Sequence, residues 1–351
     1  MNLADFDYEL PPSHIANQPA FPRDASKLML INRKTNEISH HIFKELPELL
    51  DKNTLLVLND TRVYPARIYG KKSTGGKVEM LLVKKLENNM WEALTKPGLS
   101  EGTIVDFGEF TIEVIEKRER TSLIKPNISE DEFYKILEKT GSIPIPPYIH
   151  SSLSRDELKE KYQTVYANET GSAAAPTAGL HFTSEVFEAL RKKGIEVVSL
   201  TLHVGLGTFA PIDDEKMKES KLHAEYFEIT KEEAEKINAA KKSGKKIISV
   251  GTTTLRALES ATDDNGLLKP FMGETTIFIK PGYSFRMVDG LITNFHLPKS
   301  SLLMLVSAFS SFPNTDVIFT DFSHNVIGKA YEKAIENDYR FFSFGDATLV
   351  L

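Results

Sequence analysis

With 351 residues, 41% of them hydrophobic and 26% charged, the chain has the composition of a globular protein and room for two domains. Its net charge of −6 argues against a globally basic nucleic-acid binder, so any contact with nucleic acid must use a local patch. Cysteine is absent, which excludes disulfides, thiolate nucleophiles and cysteine metal sites. The N-terminus is acidic where a signal peptide would be basic, and the longest apolar run, residues 302–306, is too short to span a membrane, so we expect a cytoplasmic protein.

The first sixty residues favour the beginning of an α/β sheet. Residues 27–32 and 38–43 are predicted strands, and residues 54–58 (TLLVL) predict a third strand that should be buried. Open α/β sheets place ligand contacts after the carboxyl ends of such strands, so Asp60 and Arg62 are candidate site residues. A plain surface turn explains the same two residues equally well.

From residue 67 to about 149 the pattern changes. Short alternating runs, separated by glycine, proline and asparagine turns, predict a small antiparallel barrel or sandwich. The runs are residues 78–83, 91–95, 103–107, 110–115 and 121–124. A helix is predicted next, with Ser129 and Glu132 spaced as a capping box and Gly141 at its end, followed by the proline-rich connection 144–147.

This segment is rich in lysine and arginine. The basic residues are Lys71, Lys72, Lys77, Lys84, Lys85, Lys117, Arg118 and Arg120. Such residues usually solvate exposed strand faces, and a patch that binds phosphate groups is the alternative. The pattern of charges leaves both interpretations open.

Two histidines stand in the most unusual stretch of the chain, residues 162–207. His181 ends the run GSAAAPTAGLH, and His203 lies in TLHVGLGTF, so each is surrounded by small or apolar residues. Small residues allow the backbone to approach a ligand closely. A predicted helix and the predicted strand 195–202 separate the two turns, which indicates a site held by a packed scaffold.

A later strand-to-helix turn offers a place for an anion. The predicted strand 246–250 runs into a glycine and three threonines before a predicted helix at 255–261. These turn residues are Gly251, Thr252, Thr253 and Thr254. Free N–H groups at the positive end of a helix suit a carboxylate or a phosphate, with Arg256 close behind. A plain helix cap is the alternative.

Residues 291–297 (LITNFHL) predict a further strand, on which Asn294 and His296 would share one face. A lone strand histidine is more often a satisfied core residue than a catalyst. Ser300 is predicted to cap the apolar helix 301–309.

The order of these elements predicts a mixed α/β fold with a mainly parallel core and a β-rich insertion. We therefore divide the chain into a larger α/β domain, residues 1–66 and 150–351, and an inserted β-barrel-like domain, residues 67–149.

A dinucleotide site is one chemistry to weigh. Residues 205–210 (GLGTFA) fit the pattern G-x-G-x-x-A, and Glu225 lies about where a ribose-binding acid would. The pattern should open a helix, however, and Pro211 follows, while the predicted strand begins only at Tyr226, after Glu225. A nicotinamide-dependent oxidoreductase is therefore a minor alternative. Metal-binding spacings such as HExxH are absent, and we expect no metal.

Taken together, these stretches resemble one family, the S-adenosylmethionine:tRNA ribosyltransferase-isomerases of the queuosine pathway. The matching runs are RDASKLML from Arg23, LNDTRVYPARIYG from Leu58, GGKVEMLL from Gly75, PIPPYI from Pro144, YQTVYA from Tyr162, GSAAAPTAGLHF from Gly171, TLHVGLGTF from Thr201, VGTTTLRALES from Val250, FIKPGYSF from Phe278, LITNFHLPKSSLLMLVSAF from Leu291 and YRFFSFGDATL from Tyr339. They span almost the whole chain in order, and their joint occurrence is highly specific. The family usually has arginine at the position of Lys27 and a histidine near Ser220, and the loop 312–323 is longer than usual.

The resemblance implies that S-adenosylmethionine is a ribosyl donor, not a methyl donor. The ribosyl group would be transferred and isomerised onto 7-aminomethyl-7-deazaguanine at the wobble position of a tRNA, giving epoxyqueuosine-tRNA, adenine and methionine. It also implies a larger α/β domain with the substrate site and a smaller β-barrel insert. We expect tRNA as the partner, no membrane, and a monomer; a non-catalytic RNA-binding module is the other alternative.

Residue roles follow from this chemistry as hypotheses. A base must take a proton from the 5′-carbon beside the sulfonium, and an acid must protonate the departing adenine, two tasks that suit histidine. We expect His181 and His203 in these roles, with His296 as a third candidate. The candidate ligands of S-adenosylmethionine are Asp60 and Glu259 for ribose hydroxyls, Gly251, Thr252, Thr253, Thr254 and Arg256 for the methionine carboxylate, and Asn294. The candidate residues for binding tRNA or its base are Arg23, Arg62, Arg67, Lys84 and Lys85.

Overall fold

A computed structural model describes residues 1–119, 121–145, 149, 151–205 and 221–351. The strands are Lys27–Ile31 (β1), Ile38–Ile42 (β2), Thr54–Asn59 (β3), Thr61–Val63 (β4), Arg67–Lys72 (β5), Lys77–Lys85 (β6), Trp91–Lys96 (β7), Ile104–Asp106 (β8), Thr111–Lys117 (β9), Ser122–Pro126 (β10), Glu169–Ser172 (β11), Glu196–Leu202 (β12), Lys221–Ile229 (β13), Lys246–Val250 (β14), Phe271–Ile277 (β15), Gly290–Asn294 (β16) and Ala347–Val350 (β17). The α-helices are Leu46–Leu49 (α1), Glu130–Thr140 (α2), Arg155–Lys161 (α3), Ser184–Lys193 (α4), Lys231–Lys242 (α5), Thr252–Ala261 (α6), Ser301–Phe309 (α7) and Val326–Glu336 (α8).

Nine of these strands form one large sheet, in the order β15-β13-β12-β3-β14-β16-β17-β1-β2. Strands β12, β3, β14 and β16 are parallel neighbours in its centre. Towards one edge, β13 and β15 pair antiparallel; towards the other, β17 runs antiparallel to β16 and parallel to β1, and β2 closes the sheet antiparallel to β1. The predicted parallel core is therefore the centre of the sheet, and antiparallel strands flank it.

The central strand β3 shows why the sheet is covered on both faces. All six of its residues are buried. Leu55 and Val57 belong to one hydrophobic cluster, while Leu56 and Leu58 belong to a second cluster. Successive strand residues point to opposite faces, so an uninterrupted apolar run requires packed side chains above and below the sheet.

The helices begin where polar side chains satisfy their first N–H groups. Ser129, Thr183, Thr230 and Ser300 each accept a hydrogen bond from a backbone N–H in the first turn of α2, α4, α5 and α7. Gly194 follows α4 with φ of 81°, a conformation that costs glycine little. The predicted caps Ser129 and Ser300 are confirmed.

Six short strands close into a barrel, in the order β10-β7-β6-β5-β8-β9. Its core contains the fully buried Trp91, which packs edge-on against Phe133 of α2 and against Tyr64. The predicted fold class, a mixed α/β protein with a small β-barrel, is confirmed. The limits we placed on the inserted domain stay a prediction, and part of the proline-rich connection, residues 146–147, lies outside the described residues.

Several boundaries differ from the prediction. The barrel strand β5 was not predicted, and β13 begins at Lys221, so that Glu225 lies within a strand and not before one. The strand β16 ends at Asn294, which leaves His296 beyond it. In the described part of the chain, no helix is long and apolar enough to cross a membrane.

Candidate active site

A cavity of about 370 Å³ lies beyond the carboxyl ends of the parallel strands β12, β14 and β16. It is lined by Leu3, Ala175, Pro176, Thr177, Ala178, Val204, Gly251, Thr252, Thr253, Thr293, Asn294, Phe295, His296, Leu297, Pro298, Lys299, Ser300, Ser301, Leu302, Phe342 and Ser343. Parallel strands end at the same edge of a sheet, which is where open α/β sheets place their ligands. The walls are mostly apolar with a few converging polar groups, as is typical of a small-molecule site.

One wall of the cavity is the N-terminus of α6. Gly251 precedes the helix with φ of 91° and has no side chain to satisfy the first N–H groups. Thr252 and Thr253 line the cavity, while the Thr254 hydroxyl donates to the carbonyl of Val250 at 2.7 Å. Unsatisfied N–H groups and the positive end of the helix dipole attract an anion, so this wall suits a carboxylate.

His296 also lines the cavity, on the loop after β16. Its Nε2 lies 3.0 Å from the hydroxyl of Thr293, and its backbone N–H donates to the hydroxyl of Tyr331 at 2.9 Å. Within the described residues, its Nδ1 makes no hydrogen bond and remains for a ligand. Burial lowers the pKa of His296 to about 3, so the ring is neutral near pH 7.

Asn294 connects the cavity with His181, which lies behind it. The amide of Asn294 accepts from the Thr177 hydroxyl at 2.9 Å and donates to Nε2 of His181 at 3.1 Å. Nδ1 of His181 therefore carries the proton and donates to the hydroxyl of Ser26 at 2.8 Å. The ring also stacks on Phe43 at 5.1 Å between centroids, and burial lowers its pKa to about 4. His181 does not line the cavity.

His203 is held by a different set of residues. Its Nδ1 lies 2.8 Å from the hydroxyl of Thr61, and its ring stacks on Tyr226. A Cβ at Gly171 would lie 2.5 Å from its Nε2, so only glycine leaves room for this ring. Burial lowers the pKa of His203. The adjacent Val204 lines the cavity, but the imidazole does not. The two histidine turns therefore flank the cavity through their neighbours, and neither ring enters it.

The predicted carboxylate and ribose ligands Arg256 and Glu259 do not line the cavity. Arg256 forms a buried ion pair with Glu225, and its side chain is only 4% exposed. Glu259 accepts a hydrogen bond from the hydroxyl of Tyr283 at 3.1 Å and three more from backbone N–H groups of residues 286–288. Its oxygens are used to hold that loop. Asp60 is also outside the cavity lining, where it accepts from the hydroxyl of Thr201 at 2.8 Å, and burial raises its pKa.

The predicted tRNA-binding residues also lie outside the cavity lining. Arg23 donates to the carbonyl of Glu160 at 2.7 Å, and Arg62 donates to that of Ala167 at 3.1 Å. The side chains of Arg67, Lys84 and Lys85 pair with Glu79, Glu274 and Glu130 respectively. These arginines and lysines therefore already have protein partners.

Two residues in the cavity wall have unusual backbone conformations that the sequence did not predict. Lys299 has φ of 56° and Phe342 has φ of 74°, a conformation that is rare for a bulky residue. Such backbone persists where the surrounding structure enforces it, often at functional sites. The run NFHLPKSS pointed to the segment around Lys299, but nothing in the sequence marked either positive φ.

The predicted dinucleotide turn, residues 205–210, lies outside the described residues except for Gly205. The acid proposed to accompany it, Glu225, is paired with Arg256. Among the described residues, no group of three or more histidine or acidic side chains is placed to hold a metal ion.

Comparisons with known proteins agree over the full length of the chain. The model of a family described as queuosine biosynthesis protein matches residues 3–350. The chain is 48% identical to the S-adenosylmethionine:tRNA ribosyltransferase-isomerase of Desulfitobacterium hafniense and 46% identical to that of Desulforamulus reducens, with 100% of both chains covered in each comparison. It is also similar to the crystal structure of an S-adenosylmethionine tRNA ribosyltransferase from Thermotoga maritima, at 34% identity and a TM-score of 0.55, with 99% of this chain and 100% of that chain covered.

A first prediction concerns the buried His181. Because its pKa is lowered from about 6.5 to about 4, the unfolded chain binds a proton in this range that the folded chain does not. The free energy of unfolding should fall as the pH drops from 6.5 towards 4, and His181→Gln should reduce that slope by up to about 1.4 kcal/mol per pH unit. Urea unfolding at a series of pH values measures both slopes. His324→Gln, at an exposed histidine, is the control; a His181→Gln slope equal to the wild-type slope would contradict the assignment.

A second prediction separates structural from ligand-binding roles of Arg256. Arg256→Met leaves Glu225 as a buried charge without this cation, so we expect a loss of about 3–5 kcal/mol in unfolding free energy. The double variant Arg256→Met with Glu225→Gln removes both charges and should recover much of this loss. Calorimetry should then show wild-type affinity for S-adenosylmethionine. If the folded double variant binds it much more weakly, Arg256 contacts the ligand and the structural role is wrong.

Proposed function

Because the chain belongs to the queuosine biosynthesis protein family, we propose that its cavity at the carboxyl edge of the sheet is the site of ribosyl transfer from S-adenosylmethionine. The protein is a ribosyltransferase-isomerase with S-adenosylmethionine as co-substrate and tRNA as substrate. It transfers and isomerises the ribosyl group onto 7-aminomethyl-7-deazaguanine at the wobble position, giving epoxyqueuosine-tRNA and releasing adenine and methionine.

One observation supports placing ribosyl transfer in this cavity: an uncapped helix N-terminus and a buried imidazole both line it, and its other walls are mostly apolar. S-adenosylmethionine combines a carboxylate, an aromatic base and a reactive carbon beside a sulfonium. The cavity offers a matching group for each: the start of α6, apolar walls that include Phe295 and Phe342, and His296. Its volume of about 370 Å³ falls within the range usual for small-molecule sites, roughly 300–1,000 Å³.

The start of α6 would hold the methionine carboxylate. The first N–H groups of this helix have no side-chain cap, and Thr252 in its first turn lines the cavity. A carboxylate there gains charge-assisted hydrogen bonds as well as the favourable field of the helix dipole. The nearby Arg256 is not required for this contact because its charge is balanced by Glu225.

His296 would carry the proton. Its imidazole is neutral at pH 7 and can therefore act as the base that removes a proton from the 5′-carbon beside the sulfonium. The imidazolium that forms has a low pKa and gives the proton up readily, which suits its delivery to a nitrogen of the departing adenine. One group then serves as base and afterwards as acid, and the proton is conserved. Adenine leaves neutral when the glycosidic bond breaks, and methionine leaves as the thioether when the carbon–sulfur bond breaks. The amine of 7-aminomethyl-7-deazaguanine forms the new carbon–nitrogen bond to the ribosyl group and loses one proton to solvent, which balances the positive charge of the sulfonium.

The other two histidines would act less directly. His181 holds the amide of Asn294 in place, and Asn294 faces the cavity. His181 is therefore a positioning residue in this scheme. His203 stays a candidate acid or base, because it lies beside Val204 and its neighbours from residue 206 onward are outside the described part of the chain.

We infer a cytoplasmic location from the tRNA substrate; the expected monomer stays a prediction.

A third prediction tests the activity and the role of His296 together. Wild-type protein, S-adenosylmethionine and precursor tRNA should yield epoxyqueuosine in nucleosides analysed by mass spectrometry. His296→Ala should slow single-turnover adenine release by about 10²- to 10⁴-fold, because proton transfer is lost. His324→Ala, at an exposed histidine, should release adenine at the wild-type rate.

This experiment distinguishes a wrong activity from a wrong assignment of His296. Without epoxyqueuosine from the wild-type protein, the activity itself is wrong. Adenine release at the wild-type rate in His296→Ala would leave the activity standing but move the proton transfer to another group, with His203 the next candidate.

A fourth prediction concerns the carboxylate site. Thr252→Val should weaken binding of S-adenosylmethionine by about ten-fold, because a hydrogen bond to a charged group is worth roughly 1.5–3 kcal/mol. The decarboxylated analogue should bind both proteins equally, since it lacks the group that Thr252 contacts. Calorimetry measures the four affinities. Thr254→Val is the matched control, since that hydroxyl already bonds to Val250. An equal loss for both ligands would place the carboxylate elsewhere.

A further inference from the structure

The barrel carries a second concave surface, which is lined by different residues from the cavity. Strands β5, β6, β7 and the end of β8 enclose an open groove of about 740 Å³ on the outside of the barrel, here called the barrel groove. The residues that matter for its chemistry are Tyr69, Lys71, Lys77, Glu79, Lys96 and Asp106. The groove and the cavity share no lining residue.

Strand register places these side chains next to one another. Lys71 of β5 lies directly opposite Lys77 of β6, and Glu79 lies opposite Lys96 of β7. Alternation along β5 turns Tyr69 and Lys71 outward while Gly70 between them is buried. Like charges directly across a strand pair destabilise a sheet. The Lys71–Lys77 pair carries this cost, although Asp106 of β8 lies opposite Lys71 on its other side.

Nothing in the described part of the chain neutralises these lysines by an ion pair. Within that part, Lys71, Lys77 and Lys96 form no salt bridge, whereas Lys84 and Lys85 on the same barrel both do. The two carboxylates in the groove have other contacts: Glu79 lies 3.6 Å from Arg67, and Asp106 accepts from the N–H of Gly108 at 2.7 Å. The groove therefore presents free ammonium groups to solvent.

An exposed aromatic ring completes the surface. Tyr69 is 61% exposed and, among the described residues, makes no ring–ring contact. Aromatic rings beside basic residues are what proteins use to bind single-stranded nucleic acid, because bases stack on the ring while cations hold the phosphates.

We propose that the barrel groove binds the tRNA substrate, with backbone phosphates on Lys71, Lys77 and Lys96 and an unpaired base stacked on Tyr69. This rests on the proposed function, which supplies the tRNA. It replaces the expectation that Lys84 and Lys85 form the phosphate-binding patch. Since the groove takes no part in the cavity, it contributes to binding of tRNA and leaves the chemical step to the cavity.

The triple variant Lys71→Gln, Lys77→Gln, Lys96→Gln tests the proposal through tRNA affinity, measured by fluorescence anisotropy between 50 and 250 mM salt without S-adenosylmethionine. We expect at least ten-fold weaker binding at low salt and a salt slope smaller by about 2 to 3, since each lost phosphate contact removes about 0.7–0.9. Adenine release at saturating tRNA should keep its wild-type rate constant. Tyr69→Ala should weaken binding by about ten-fold with an unchanged salt slope, while Tyr69→Phe should bind as the wild type.

Two controls with comparable charge changes make the result specific. Lys231→Gln, Lys236→Gln, Lys242→Gln removes three charges from α5, and Lys84→Gln, Lys85→Gln removes the ion-paired lysines of the barrel. Both should bind tRNA within about two-fold of the wild type. The proposal is overturned if the groove variant keeps wild-type affinity and slope, or if the α5 variant loses as much. Because binding is measured without turnover, failure of the groove is distinguishable from failure of the proposed activity.

Discussion

The parallel alignment of β12, β3, β14 and β16 is the constraint on which the site depends. Parallel strands end at one edge, so the segments that follow them meet there although they are far apart in the chain. Val204, Gly251 and His296 belong to three such segments and share one cavity. The apolar run of β3 maintains this arrangement, because its side chains anchor packed layers on both faces of the sheet.

Loss of solvent, more than neighbouring charge, sets the properties of the histidines. Burial is the main cause of the lowered pKa of His181, His203 and His296. A neutral imidazole ring can accept a proton or hold a neighbouring residue by a hydrogen bond. His296 is suited to the first role and His181 to the second. His296 lines the cavity, and within the described residues its Nδ1 makes no hydrogen bond, whereas both ring nitrogens of His181 are bonded to Ser26 and Asn294.

Local signals in the sequence predicted much of the fold and part of the site. The caps Ser129 and Ser300, the buried β3 and the turn at Gly251 depend on residues close in sequence, and the sequence predicts them correctly. Roles that depend on distant partners were not: Glu259 resembles a free acid in sequence, and only the fold brings residues 286–288 to it. Likewise, Lys84 and Lys71 look alike in the sequence, and only one of them meets a carboxylate. The positive φ of Phe342 is imposed by its surroundings and has no local signature.

The contact between Lys84 and Glu274 has a consequence for solubility. Glu274 lies on β15, the last strand of the large sheet, and Met272 on the same strand is 68% exposed. An outermost strand offers unpaired backbone groups to which a foreign strand can add, and proteins guard such borders with charge or by covering them. Lys84 of the barrel brings a charge to this border, and charge on an outermost strand disfavours edge-to-edge pairing with a second chain.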